Sequence, residues 1–439
     1  MVGSHFDIGS IVVSVRCVID ASVSLRASSR ICDLLALIQG QPSFEEPCHT
    51  TVQNFILRIG LYLIEYHAGF NPNRIWIIDH TIAAGTTKCL VVLGLDLSVY
   101  LQCNRPLEHH DLETLALIPV NESNGAIVCQ QLVELGNRKG RPLAILSDRG
   151  SDLKKGVELL QNDNPDVISL DDIVHLVSRL IQKFLEQDDR WDQYRQANCK
   201  CANAVRQGPL AHLKPPRPKT KARYMNIDRE VRWGSRALGL LDRVRSGQLS
   251  ERQKKRLPRE LVETKIGWLD AYREAIALWL ELSSLGQRAS HVIRHRGYAP
   301  GTIDLLRREL GEPKHAASQQ LVAQVIDHVT PMCHAAGAHG RLPGSSEVIE
   351  SLIGKGKRLL GQSNQNSLTR QILAMATATA ELTESLVRKA LSACRIKHLK
   401  TWCEEHLDPG VHVARREDLP FSDEELKWRK AYAIPIPNF

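Results

Sequence analysis

Asp79 closes the apolar run Arg74-Ile75-Trp76-Ile77-Ile78, and Asp148 closes Leu143-Ala144-Ile145-Leu146-Ser147. Far downstream, Glu350 lies in Ser346-Glu347-Val348-Ile349-Glu350-Ser351-Leu352-Ile353, a stretch with helical apolar spacing. Carboxylates gathered at one place are hard oxygen donors, the set that Mg²⁺ (or Mn²⁺) takes. Two such ions held roughly 3.5–4 Å apart activate a nucleophile and stabilise the leaving oxygen in phosphoryl transfer. Asp79, Asp148 and Glu350 are therefore the candidate catalytic residues and metal ligands, for chemistry on a phosphodiester. Lys357 follows Glu350 by seven residues, two turns along the same helical face, where a cation can contact a substrate phosphate.

A strand-terminal aspartate taken alone is more often a cap or turn former than a ligand. The case rests on all three acids together with the order of the strands. Glu347 competes with Glu350, since the two are i,i+3 on one face; the lysine at +7 favours Glu350. Asp152, four residues past Asp148, is a weaker substitute for it. Asp172 and His175 form a D-x-x-H at the start of a helix, and a histidine there can orient substrate or a metal-bound water. A histidine hydrogen-bonded within the fold explains the same pair equally well. Cys199-x-Cys201 with His212 does not match a common zinc spacing, and G-x-x-x-x-G-K-[ST] is absent around Gly354 and Gly356. Structural zinc and ATP are not expected.

The elements that must position these acids follow from the change of period along the chain. Residues 24–66 read as two helices, Leu25 to Ile38 and a second after a Thr50 cap, separated by Gly40, Pro42 and Pro47. Gln53, Asn54 and Arg58 fall early in the second helix and on its polar side. That suits base-edge reading in a major groove, although two-helix units are also common packing devices. Strands are predicted at Ile75–Asp79, Cys89–Leu97 and Ser98–Cys103. Helices and strands then alternate: Asn124–Leu135 (helix), Leu143–Ser147 (strand), Asp152–Leu160 (helix), Val167–Leu170 (strand) and Ile173–Glu186 (helix). Three hairpin-linked strands followed by this alternation indicate a mixed α/β sheet flanked by helices, in the order of a ribonuclease-H-like core. Beyond residue 187 strand signals disappear. Helices are predicted at Ser235–Arg245, Leu261–Ser283, Thr302–Leu310, Ser346–Leu359 and Leu368–Lys397.

Charge is distributed unevenly. Residues 205–259 carry 16 Lys or Arg against 4 Asp or Glu, an excess of +12 in a chain whose formal charge is +8. The remainder is therefore acidic, and one segment has the phosphate-gripping balance of a nucleic-acid surface; a solvated basic linker is the bland alternative. Lys219, Lys221 and Arg223 are its candidate backbone contacts, with Tyr224 or Trp233 able to stack on an unpaired base or to serve the core. No apolar run approaches the ~18 residues of a membrane span. The first residues break their apolar stretch with Ser14 and Arg16 and have no basic leader, so a signal peptide is not expected. Eleven scattered cysteines speak for a reducing compartment rather than a disulfide framework.

These residues resemble a bacterial insertion-sequence transposase of the DDE type, in the retroviral-integrase-like group. The carriers are Ile75-Trp76-Ile77-Ile78-Asp79 with its glycine hairpin, Ile145-Leu146-Ser147-Asp148-Arg149-Gly150-Ser151-Asp152, Asp172-x-x-His175, the segment Ala222–Asp228, and Glu350-x6-Lys357. The resemblance spans about residues 24 to 400. It implies Asp79, Asp148 and Glu350 as ligands of Mg²⁺ or Mn²⁺ and Lys357 as a DNA contact. It implies an all-α insertion between the second and third acids, which are 202 residues apart. The expected activity is cleavage of double-stranded DNA at element ends and joining of the 3′-hydroxyl to a target. A homo-oligomeric synaptic complex, in a bacterial cytoplasm at the nucleoid, comes with it. The tyrosine and arginine that precede the glutamate in one branch are missing at Ser346–Ile349, so that branch's hairpin mechanism does not transfer. The expected organisation is 1–70 helix-turn-helix-like, 71–186 catalytic core, 187–335 basic helical insertion, 336–400 returning core helices and 401–439 tail. Two alternatives are a nuclease of the same fold that cuts without strand transfer and a catalytically silent, transposase-derived DNA-binding protein.

Overall fold

A computed structural model describes residues 6–38, 47–82, 87–217, 227–360, 369–407, 418–420 and 422–432. The chain divides into two compact units, Met1–Leu170 with Ser346–Phe439, and Asp171–Ser345.

The first unit opens with helices α1 (Ile8–Ile19), α2 (Leu25–Ile38) and α3 (His49–Tyr62). The sheet strands follow: β1 (Arg74–Ile82), β2 (Lys88–Asp96) and, after helix α4 (Leu97–Gln102), β3 (Glu113–Val120). Helix α5 (Gly125–Lys139), strand β4 (Ala144–Ser147), helix α6 (Ser151–Asp163) and strand β5 (Ile168–Asp171) complete the sheet region. The strand order is β3-β2-β1-β4-β5, with β1 antiparallel to β2, β2 antiparallel to β3, and β1 parallel to β4. It is a mixed five-stranded sheet flanked by helices, as the strand and helix pattern predicts.

The second unit is helical: α7 (Ile173–Glu186), α8 (Asp189–Val205), α9 (Ile227–Arg245), α10 (Glu251–Arg256), α11 (Arg259–Ile266), α12 (Arg273–Arg296), α13 (Thr302–Leu310) and α14 (Ala316–Ala335). Among its described residues the β pairing is an isolated bridge, Tyr298 to Leu342. The chain then returns to the first unit with α15 (Glu347–Leu360), α16 (Leu373–Thr377), α17 (Glu384–Ala393) and α18 (Ile396–His406). Among the described residues no helix is long and apolar enough to cross a membrane. All eleven cysteines are free thiols.

The continuous apolar runs of β1 and β2 reflect burial on both faces of the sheet. On one face Trp76, Ile78, Leu90, Val92, Leu115 and Ile145 pack with Val128, Leu132 and Leu135 of α5 and Leu153, Val157 and Leu160 of α6. Full burial of a large apolar side chain contributes about 1.5–3 kcal/mol, so this layer fixes which way β1 and β4 face. Helix α15 packs against β1, and α16 against β3.

Several predicted elements differ. Ser98–Cys103 is not a strand: Leu97–Gln102 is helical because Asp96 caps it, its Oδ1 accepting from Ser98 N at 2.9 Å, while Tyr100 turns inward. The third strand is Glu113–Val120 instead. Helix α1 is an addition, capped by Asp7 accepting from Gly9 N (2.8 Å) and Ser10 N (3.3 Å). The cap position of α3 is Cys48, not Thr50. The single helix expected over Leu261–Ser283 is interrupted by a 3-10 stretch, Gly267–Tyr272. The one expected over Leu368–Lys397 breaks where Thr383 starts α17 by accepting from Leu386 N at 3.2 Å.

Candidate active site

The parallel register of β1 and β4 pairs Trp76 with Ile145, Ile77 with Leu146 and Ile78 with Ser147. The next position on each side is Asp79 and Asp148. Side chains alternate along a strand, and Trp76, Ile78 and Ile145 belong to the α5–α6 layer. Asp79 and Asp148, one step further, therefore fall on the opposite face of neighbouring strands, and α15 packs against β1. Both aspartates are half-buried. Two residues 69 apart in sequence become register neighbours because the chain passes through β2, β3 and α5 before β4 returns beside β1.

The loop after β4 is tightly determined. Asp148 Oδ1 accepts from Gly150 N at 2.8 Å, and Arg149 N lies 3.4 Å from Ser147 Oγ. Arg149 adopts φ +59°, a left-handed conformation that a non-glycine residue holds only where its surroundings enforce it. Asp79 Oδ1 accepts from His80 N at 2.7 Å.

Behind this edge lies a polar cluster that sequence reasoning missed. Asp152 Oδ2 accepts from Ser123 Oγ at 2.7 Å and from Lys88 Nζ at 3.2 Å, and His80 Nδ1 stands 3.5 Å away. Burial works against the Asp152 anion, but the Ser123 hydrogen bond, the His80 ring and Lys88 outweigh it and hold its pKa below the usual carboxylate value. Burial lowers the pKa of His80; Asp152 and Asp148 pull it up and Lys88 pushes it down, with a net lowering. The four residues come from β1, β2, the loop before α5 and the first turn of α6. Their spacing carries no signal; only Asp152, within Asp148-Arg149-Gly150-Ser151-Asp152, was legible.

The third acid is on α15. Glu350 is half-buried, Glu347 is exposed, and Val348, Ile349, Leu352 and Ile353 bury the inner face. This burial favours Glu350 over Glu347 as the inward carboxylate. Gly356 explains the second half of the helix: a Cβ there would run into the Met375 side chain of α16, so the glycine permits close packing. Lys357 is exposed on the same helix, and burial lowers the pKa of its neighbour Lys355.

Donor chemistry fits a hard divalent cation. Mg²⁺ commonly binds through one or two carboxylates and completes its shell with waters and substrate phosphates, and Asp79 and Asp148 offer that pair. Among the described residues, no three His, Cys, Asp or Glu side chains are gathered as a ready-made metal site. Glu350 is therefore not assembled with the two aspartates into a closed three-ligand cage.

The remaining predicted residues divide. Asp172 is buried and caps α7 in the second unit, its Oδ1 accepting from the backbone N of His175 at 2.8 Å, which accounts for the aspartate. In the first unit α3 is packed by α1, α2, α16, α17 and α18. Arg58 donates through Nε to Cys394 O and through Nη2 to Leu391 O, both at 2.6 Å. Gln53 and Asn54 are half-buried, with Gln53 Oε1 3.5 Å from Arg370 Nη2. Helix α3 thus serves packing, and Nε and Nη2 of Arg58 are taken inside the fold. Lys219, Lys221, Arg223 and Tyr224 lie outside the described residues. Trp233 does not stand ready for a base: its Nε1 donates to Leu213 O at 3.0 Å, and its ring stacks on Trp268 at 6.4 Å.

No protein-family profile matches the chain, and no curated protein matches it in sequence. Among solved structures it is similar to the Drosophila P element transposase strand transfer complex, at 12% identity over 85% of this chain and 91% of that one. The TM-score is 0.39.

Proposed function

We propose that this chain is a DNA transposase of the DDE type, built on a ribonuclease-H-like core, that cleaves DNA strands and transfers a 3′-hydroxyl. The observation that carries the reading is the β1–β4 register, which makes Asp79 and Asp148 neighbours on one sheet face while α15, bearing Glu350, packs against β1. Strand order β3-β2-β1-β4-β5 supports the same reading. Asp79 and Asp148 would hold Mg²⁺ or Mn²⁺, with Glu350 joining them once a substrate phosphate supplies further ligands. The bound ions would supply charge for a phosphodiester displacement. Lys357, exposed two turns beyond Glu350, would meet the DNA backbone.

The test is cleavage and joining of DNA carrying the inverted repeats that flank the coding region, with Mg²⁺ or Mn²⁺. Asp79→Asn, Asp148→Asn and Glu350→Gln are each expected to abolish cleavage while DNA binding persists. Mutants that cut like the parent refute the reading. Cutting without joined products identifies a simple nuclease. A parent that binds DNA and never cuts identifies a silent DNA-binding descendant.

A further inference from the structure

The second unit carries a groove of about 530 Å³ along α9, lined by Arg229, Arg232, Arg236 and Arg243 and walled by Lys214 and Trp233. We propose that this groove is a track for duplex DNA, in which Arg229, Arg236 and Arg243 take backbone phosphates. The inference rests on the nucleic-acid reading of the chain and is independent of the carboxylates.

Spacing is the first argument. Arg229, Arg236 and Arg243 are seven residues apart, two turns each, so they form one exposed stripe. At 1.5 Å per residue, successive arginines are about 10.5 Å apart along the axis and the outer two about 21 Å apart, a span that only an extended polyanion covers. A nucleotide site would converge such donors on one point; this stripe extends them along a line.

Charge balance is the second. Asp228 is taken by Arg232, Glu230 faces Arg195 at 3.5 Å, and Asp242 is held by Arg273 at 2.8 Å. Arg245 pairs with Asp270 at 2.7 Å. The acids nearest α9 are thus neutralised by other arginines. Arg229, Arg236 and Arg243 make no ion pair among the described residues. Their planar forks match phosphate oxygens, which favours a phosphate backbone over a general acidic surface.

Rigidity is the third. The groove wall is fixed by the Trp233–Trp268 stack and by the Trp233 hydrogen bond to Leu213 O. A preset wall lowers the ordering cost of binding.

The test uses the full chain and a mixed-sequence DNA duplex, with affinity measured across a salt series. In the variant R229Q/R236Q/R243Q the slope of log K against log salt should shrink by about 2.7, at ~0.9 for each phosphate no longer neutralised. The corresponding Arg→Lys triple should keep most of the slope. An equal reduction of charge on α12 and α13, R296Q/R307Q/R308Q, should leave it unchanged. A glutamine triple with the parental slope, a parent with a flat slope, or equal reductions in both glutamine triples would overturn the proposal. Asp79→Asn, run alongside, should keep the slope and lose cleavage. If the groove triple loses its slope while the parent never cuts DNA, the groove stands and the transposase reading falls.

Discussion

Removing Asp152 should loosen the loop that carries Asp148, and the size of the effect can be worked from its partners. Ser123 Oγ donates to Asp152 Oδ2 at 2.7 Å, a hydrogen bond to a charged group with the Asp152 side chain only 17% exposed. Such bonds contribute roughly 1.5–3 kcal/mol. Lys88, a third exposed, adds at most about 1 kcal/mol because solvent screens it. Asp152→Ala and Ser123→Ala should each destabilise the first unit, and a double-mutant cycle should return a coupling of about 1–2 kcal/mol. Hydrogen exchange of the α6 and β4 amides reads this locally, without interference from the second unit. The pH dependence has a definite sign. Asp152 has a folded pKa below its unfolded value. Its stabilisation is therefore present above the ordinary carboxylate pKa and disappears as pH falls through the lowered one. A coupling below about 0.3 kcal/mol at neutral pH, or one that survives acidification, would show that the cluster does not hold this loop.

Other consequences can be checked in the same way. Gly60→Ala places a methyl against the Leu373 carbonyl of α16; overpacking should cost about 1–3 kcal/mol, and an unchanged melting temperature would contradict that close approach. Lys139 Nζ donates to Ile64 O at 3.0 Å and Ala68 O at 2.9 Å from a buried position. Lys139→Met should leave both carbonyls unsatisfied and cost roughly 2–4 kcal/mol in urea unfolding. Burial disfavours the Glu281 anion, but hydrogen bonds from Lys314 N and from the backbone and ring of His315 overcome it and bring its pKa to about 2. Its stabilisation of the second unit should thus be present above the ordinary glutamate pKa and disappear as pH falls through about 2; Glu281→Gln should flatten that acid limb.

The two aspartates were legible because each follows an apolar run too short for a helix, but only Asp148 lies at a strand end: β1 continues through Asp79 to Ile82, paired with β2. Helices α7 and α13 were legible to the residue because the apolar period is clear in both. Leu97–Gln102 was misread because Leu97, Val99 and Leu101 alternate with Ser98 and Tyr100; the cap from Asp96 decides for helix. Helix α1 is rich in β-branched residues, so only Asp7 marks it. Arg58 illustrates a different limit: a polar side chain on a helix looks free until Leu391 and Cys394, more than 330 residues away, take two of its donors. The Asp152 cluster was hidden for the same reason, since its members meet only after the sheet has formed. The α9 stripe was visible in sequence as excess charge, but which arginines are already neutralised required coordinates.

The five strands among the described residues lie in residues 74–171, whereas the helix bearing Glu350 begins at 347. During synthesis the ribosome releases a complete sheet with both aspartates long before the last acid exists. The first unit comprises Met1–Leu170 together with Ser346–Phe439, so α3, which packs on α16, α17 and α18, gains that cover only after the whole second unit has been made.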